Sequence, residues 1–379
     1  AEARFYSGGQ PRGWGADAWN LQKRDTASAY KRNEFPLLVA TKAFGMGIDK
    51  PNVRYTVHYG LPDSIEAFYQ EAGRAARGHG MTAECWLMVS VDDNEKAHML
   101  LDPRAEVNDI REQLDQRTRE TDDDVTRALF FHQHSFRGQK AELKDVKIVL
   151  IELGDISQRR RAALCLPTLK LPQVEKALHR LVLLGVVDDY TVDYANQEFS
   201  VRVTGATEDD IVASYCAYVA GYSVGRVASE REKLIEFTGM PLTDFVHAAT
   251  QVLIDFIYDT VEKGRRRALG EMLGLAEAAL AAEKADVDRI VRERVLTYFE
   301  ASHADELRAL IEGDLSVDIL RRLYEGEEDA DTGEVVGGIR SPRDAAELRG
   351  AAARLLESVP DHPGLLFVRA MAEVWCADP

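Results

Sequence analysis

Residues 39–54 read V-A-T-K-A-F-G-M-G-I-D-K-P-N-V-R and residues 68–80 read F-Y-Q-E-A-G-R-A-A-R-G-H-G. In the first stretch a short apolar run, Leu37 to Ala40, ends at Thr41 and gives way to a loop containing Gly45 and Gly47. Glycines there let backbone approach a phosphate closely and leave amide donors free, because no Cβ intervenes. Alone, this is also what a simple turn after a strand in any α/β protein looks like. In the second stretch Arg74 and Arg77 stand three apart, a spacing that on a helix end turns two guanidiniums toward one polyanion. Taken singly, each arginine reads equally well as half of a surface ion pair.

Strand-length apolar runs at Leu37 to Ala40, Tyr55 to Tyr59 and Cys85 to Val89 flank an expected helix from Ser64 to Ala76, capped by Asp63. That alternation predicts a parallel α/β layer over residues 1–91. Residues 92–143 read as a charged helical connector, in which Asp122, Asp123 and Asp124 open a helix and suit its dipole better than they suit a metal. Residues 144–204 predict a helix at Val146 to Leu153, a polar turn bearing Arg159, Arg160 and Arg161, a helix from Pro172 to Leu184 stopped by Gly185, and a hairpin around Ala195 and Asn196. This is the outline of a winged helix. Gln173, Lys176, His179 and Arg180 share one face of its second long helix, as in a recognition helix, although an amphipathic surface helix gives the same pattern. Residues 205–324 are helical by period, and the basic cluster Lys263 to Arg267 is expected to close a helix running from Thr250 to Glu262. Residues 325–379 predict an acidic linker and then a helical hairpin turning at Pro360 to Gly364. The fold class is therefore α/β followed by mostly α.

The net charge of -17 looks wrong for a nucleic-acid binder, yet its distribution matters more than its total. Residues 1–90 carry +2 and residues 144–185 carry +4, so the acidity resides elsewhere. The four cysteines, Cys85, Cys165, Cys216 and Cys376, form no C-x-x-C pair, which argues against a disulfide framework and for a reducing, cytoplasmic setting. No apolar run reaches the roughly 20 residues of a spanning helix, so no membrane partner is expected.

Taken together, A-F-G-M-G-I-D-K-P-N-V-R, then H-Y-G-L-P at 58–62, then Y-Q-E-x-G-R-A-x-R at 69–77 resemble motifs V and VI of the RecQ family of superfamily 2 DNA helicases. F-Y-S-G at 5–8 resembles the preceding strand and its phosphate-contacting turn. The close resemblance covers about residues 37–90 and a looser one extends through the winged helix. It implies a partial RecA-like second lobe, with ATP and Mg2+ held mainly by a first lobe outside this sequence. It also implies that Arg77 is an arginine finger, worth ~10³ to 10⁵ in rate in phosphoryl transfer, with Arg74 and Gln70 in support. Asp49 and Gly47 would lie by the nucleotide, and Ser7, Gly8 and Thr41 on DNA backbone. Arg159, Arg160, Arg161, Lys176, His179 and Arg180 would grip duplex near a single-strand junction, and movement would run 3′ to 5′.

The pattern departs from the family at Ala76, where Gly is usual, and at His79, where Asp is common. The four-cysteine zinc module of many RecQ proteins is missing, since residues 92–143 offer only His98, His132 and His134, so zinc is not expected. The chain opens on Ala1 without a leader and is read as beginning inside a longer protein. No G-x-x-x-x-G-K-[ST] loop occurs, so this stretch alone is expected not to turn over ATP. A non-catalytic DNA-binding scaffold and an RNA helicase are the alternatives, and the acidic helical C-terminal region is a candidate surface for a protein partner.

Overall fold

The computed structural model describes residues 2–45, 50–77, 80–116, 122–222, 226–299, 304–312, 316–328, 335–336, 338–339 and 342–377. The chain divides into two compact units: Ala1–Pro62 with Glu66–Val89, and Asp63–Ile65 with Ser90–Pro379.

In the first unit β1 (Ala3–Tyr6), α1 (Ala16–Lys31), β2 (Leu37–Ala40), β3 (Tyr55–Tyr59), α2 (Ile65–Ala72) and β4 (Glu84–Met88) alternate as the hydrophobic pattern predicts. Both strand pairings are parallel, β1 with β2 and β3 with β4. Among the described residues these remain two separate two-stranded sheets. The core gathers on one side, where Trp19 of α1 is buried and stacks on Phe5 at 5.2 Å, and Phe35 and Phe68 are buried too. One face of the β3–β4 pair is bare: Tyr55, Val57, Tyr59, Trp86 and Met88 are all more than half exposed. Parallel strands are ordinarily covered on both faces, and among the described residues of this unit no element covers this one.

The second unit begins with α3 (Asn94–Leu101), α4 (Val107–Asp115) and α5 (Asp124–Ser135). The acid cluster caps α5, with Asp123 accepting from the Thr126 amide at 2.8 Å and Asp124 from the Ser90 amide at 2.7 Å. Next come α6 (Gln139–Leu153), β5 (Arg160–Cys165), α7 (Leu171–Leu183), β6 (Val187–Asp193) and β7 (Glu198–Val203), the strands forming an antiparallel sheet in the order β5-β7-β6. The polar turn expected at Arg159 to Arg161 is instead the start of β5, because Arg160, Ala162 and Leu164 alternate inward while Arg161 and Ala163 face out. Val149 and Leu153 of α6, Leu178 and Leu181 of α7, and Phe199, Val201 and Val203 of β7 make one core.

Beyond it, α8 (Glu208–Ala220) starts with a capping box between Thr207 and Asp210, followed by α9 (Val227–Ile235) and α10 (Leu242–Ile257). A π-helical turn, Tyr258–Glu262, carries the chain without a break into α11 (Lys263–Ala281). The basic cluster at Lys263 to Arg267 therefore opens a helix rather than closing one, and Arg266 and Arg267 are buried. Helices α12 (Val287–Phe299), α13 (Ala304–Glu312) and α14 (Val317–Glu325) follow. The short antiparallel pair β8 (Glu327–Glu328) and β9 (Val335–Val336) lies where a linker was expected. The predicted hairpin is α15 (Pro342–Ser358) and α16 (Pro363–Ala377). Gly350 lets the α15 backbone press on the Thr297 carbonyl of α12, and Leu310, Leu348, Leu365 and Val368 sit in a second core.

Two buried carboxylates tie these pieces together. Glu142 of α6 accepts from Lys176 Nζ at 2.9 Å, Arg180 Nη2 at 2.9 Å and the Tyr258 hydroxyl at 2.7 Å. Glu262 accepts from Arg266 Nε at 2.7 Å and faces His132 Nε2 at 2.9 Å. Burial opposes the Glu142 charge, but Arg180 and Lys176 outweigh it and hold the carboxyl below its ordinary pKa. Its stabilising contribution is thus complete above the unfolded carboxylate pKa and drains away as pH falls through the lower folded value. Glu142→Ala, which strands the buried Arg180 guanidinium and takes the carboxylate from half-buried Lys176, is expected to cost about 3–5 kcal/mol. Urea unfolding at neutral pH checks this, and the gap between variant and parent should narrow in acid.

Candidate functional site

Three residues expected on nucleic-acid backbone meet at the carboxyl ends of β1 and β2. The Thr41 amide donates to the Tyr6 carbonyl at 3.0 Å, and the Gly8 amide donates to Thr41 Oγ1 at 3.4 Å. Ser7 Oγ donates to the Gly9 carbonyl at 2.7 Å, and Lys23 Nζ reaches the Gly8 carbonyl at 3.4 Å. The Thr41 hydroxyl, having accepted one hydrogen bond, still has its own proton to give. Strand carboxyl ends are where open parallel sheets bind ligands, and this cluster adds a lysine charge to a hydroxyl donor. Asp49 and Gly47 lie outside the described residues, as does His79.

The loop's far end is anchored by residues the motif reading passed over. Asn33, with φ of 61°, follows α1 and accepts from Asn52 Nδ2 at 2.9 Å and from Lys50 Nζ. Lys50 is buried, lies 4.7 Å from the Tyr30 ring centre, and has its pKa lowered by burial. The available signal was an asparagine just past a helix end, where a left-handed residue is favoured.

The arginine segment is not helical throughout. Helix α2 stops at Ala72; the Gly73 amide donates to the Tyr69 carbonyl at 2.8 Å, and the chain turns. Ala76 has φ of 54°, and its amide donates to the Val53 carbonyl at 2.9 Å, binding the turn to the residues before β3. Arg74 and Arg77 therefore do not share the helical face expected from their spacing; a hydrogen-bonded turn holds them instead. Arg74 is half-buried, and exposed Arg77 donates from Nε to the Gly73 carbonyl at 3.4 Å. Gln70 Nε2 donates to Glu66 at 3.0 Å. Glu71, between them, faces His58 Nδ1 of β3 at 3.2 Å, while the His58 ring packs edge-on against Phe68. His58 and Glu71 thus fix the helix end that carries the arginines, a pairing across 13 residues that no local pattern reveals.

In the second unit the basic face of α7 is turned inward. Lys176 and Arg180 are committed to Glu142, and Gln173 donates to Asp145 at 3.1 Å. Arg160 donates from Nε to the Asp155 carbonyl at 2.9 Å and from Nη2 to that of Leu153, closing the end of α6. Arg159, Arg161 and His179 stay exposed, and the described residues place no carboxylate within ion-pair distance of either arginine. The His179 pKa is lowered by burial and by neighbouring Arg180 and Lys176. Among the described residues no group of three His, Cys, Asp or Glu is arranged to hold a metal, and no helix is long and apolar enough to cross a membrane.

The helicase conserved C-terminal domain family matches residues 20–79, which include the glycine loop and both arginines. A RecQ-like DNA helicase of Caenorhabditis elegans is 49% identical over 70 residues, 18% of this chain and 7% of the relative. The ATP-dependent DNA helicase RecQ of Bacillus subtilis is 44% identical over 71 residues, 19% of this chain and 12% of the relative. Residues 20–79 are a RecQ-like helicase segment. A putative ATP-dependent RNA helicase of Acanthamoeba polyphaga mimivirus is also similar, 45% identical over 74 residues, 20% of this chain and 13% of that protein. The chain therefore spans only about a tenth of the length of these curated relatives.

In the RecQ-like segment Ala76 occupies a backbone region that costs most L-residues about 1–2 kcal/mol and glycine almost nothing. Ala76→Gly should be neutral or stabilising by up to about 1 kcal/mol, the gain being trimmed by the entropy of an unfolded glycine. Ala76→Val should destabilise by at least about 1 kcal/mol, β-branching being poorly tolerated at positive φ. Chemical denaturation of the three proteins tests the order, and a valine variant as stable as the parent would contradict it.

Proposed function

We propose that this chain is part of an ATP-dependent DNA helicase of the RecQ type, in which the RecQ-like segment supplies half of a nucleotide pocket shared with another lobe. The observation that carries this reading is the turn at residues 73–77, where Arg74 and Arg77 stand on a hydrogen-bonded support that His58 and Glu71 secure from β3. A guanidinium held this way fits an anionic phosphate and need not reorganise as charge develops on it. When bound, ATP supplies the energy of phosphoryl transfer. Arg77 would then stabilise the transferring phosphate, Arg74 would bind alongside, and Gln70 would support them. For Mg2+ the described residues offer no matching donor set.

Ser7, Gly8 and Thr41 would grip one strand's backbone, with Lys23 adding charge, and a change in lobe closure would move that grip along the strand in the 3′ to 5′ direction. Residues 144–204 would act as a winged helix on duplex at the junction. With Lys176 and Arg180 occupied by Glu142, that contact falls to Arg159, Arg161 and His179. The similarity to a putative RNA helicase keeps RNA unwinding as the second reading. Strand displacement by the full-length protein on matched DNA and RNA duplexes separates the two.

Arg77→Ala in the full-length protein is expected to lower unwinding by at least ~10³-fold while leaving duplex affinity nearly unchanged; equal loss of both would place the residue on a DNA surface instead. Arg161→Glu is expected to weaken duplex binding and to reduce the slope of log affinity against log salt by about 1, as loss of one phosphate contact requires. Fluorescence anisotropy at several salt concentrations measures it.

A further inference from the structure

His58 opens the H-Y-G-L-P stretch at residues 58–62 and reaches from β3 to α2. Its ring meets two residues of that helix, Phe68 edge-on at 5.0 Å between ring centres and the Glu71 carboxylate at 3.2 Å from Nδ1. Residues three apart share one side of a helix. A single strand residue therefore holds α2 by an apolar contact and by a charged one. The imidazole is 9% exposed and the Glu71 side chain 28%. A carboxylate only accepts, so Nδ1 carries the proton that Glu71 receives. The other ring nitrogen, Nε2, is buried without a hydrogen-bond partner, which leaves Nδ1 as the one polar atom through which the ring acts.

One turn of backbone separates that hydrogen bond from the arginines. The Glu71 carbonyl accepts from the Arg74 amide at 3.4 Å, the Ala72 carbonyl accepts from the Ala75 amide at 3.1 Å, and the Ala76 amide donates to the Val53 carbonyl at 2.9 Å. The turn is thus fastened to β3 and its lead-in at two places, by backbone after Arg74 and by His58 before it. Loss of the second fastening leaves the turn anchored at one end. Nothing need unfold, because a Glu71 carboxylate released from His58 is open enough to be hydrated. Where reacting groups must be aligned, however, a displacement of about 1 Å costs as much as ~10²-fold in rate.

We propose that His58 is a positioning residue for phosphoryl transfer: its Nδ1–H, acting through Glu71, sets where Arg74 and Arg77 stand and so governs turnover rather than nucleotide affinity. This rests on the reading of Arg77 as the arginine finger. A guanidinium that acts on charge developing in the transition state contributes little to ground-state binding, so its displacement shows in kcat before KM. The two contacts of the ring divide the work. Packing on Phe68 supports the fold, whereas the partly hydrated Glu71 bond adds little net stability, since water replaces it when it is lost.

DNA-stimulated ATP hydrolysis by the full-length protein is the test. His58→Phe keeps a ring against Phe68 and removes only the donor; kcat should fall by at least about tenfold, while KM for ATP and the melting temperature stay at the parent's values. Glu71→Ala, at a partly exposed position, should reproduce that fall, and the double variant should be no worse than either single one, as for two halves of one hydrogen bond. His58→Asn, whose Nδ2 stands close to where Nδ1 was, should recover most of the lost kcat, and His58→Gln, which carries its amide toward the Nε2 position, should not. Parental turnover in His58→Phe and Glu71→Ala, a rise in KM alone, or a loss that tracks melting temperature in every variant would each overturn the assignment. Arg77→Ala measured alongside keeps two questions apart. Near-parental hydrolysis there would defeat the arginine-finger reading itself, whereas an inactive Arg77→Ala beside a fully active His58→Phe would defeat the positioning role alone.

Discussion

A carboxylate with 2% of its surface exposed cannot stay charged unless the chain delivers partners to it, and Glu142 imposes that condition on the second unit. Lys176 and Arg180 arrive from α7, and the Tyr258 hydroxyl arrives from the π turn after α10. The Tyr258 oxygen also takes the Gly138 amide at 2.7 Å, so the residue that begins the approach to α6 is fixed by the same group. Three segments distant in sequence are held by one negative charge. On α7 that leaves His179 facing solvent, while Lys176 and Arg180 are taken up by the buried charge.

Much of the first unit was legible because its signals are local. Strand bounds at 37–40 and 55–59 follow from short apolar runs, and the glycine loop and arginine pair are contiguous motifs. The end of α2 was misjudged because Ala76 at positive φ is a conformation its identity does not advertise. Lys176 and Arg180 were read as outward because helical period separates a polar face from an apolar one but does not say whether an acid waits opposite; theirs stands 34 and 38 residues upstream. Strand β5 hid beneath its arginines, although a period of two, with Ala162 and Leu164 inward, was there to be read.

The bare face of the parallel strands is the other constraint on function. On β3 the exposed Tyr55, Val57 and Tyr59 alternate with half-buried Thr56 and His58, and on β4 the exposed Trp86 and Met88 flank half-buried Leu87. The arginine turn is tied to the chain just before β3 through the Ala76 and Val53 hydrogen bond. The turn that carries the guanidiniums is therefore joined directly to the lead-in of a strand whose outer face is exposed.

The π turn at Tyr258–Glu262 has an evolutionary corollary. It is one residue longer than the helical repeat around it, and Tyr258 and Glu262 at its two ends serve different buried charges, Glu142 on one side and His132 with Arg266 on the other. Deleting one residue there would restore an ordinary helix but rotate everything after it by about 100°, detaching one cluster whenever the other is kept. The two clusters are phase-locked: both are met at once only with the extra residue in place, so a lineage that lost it would give up one of them.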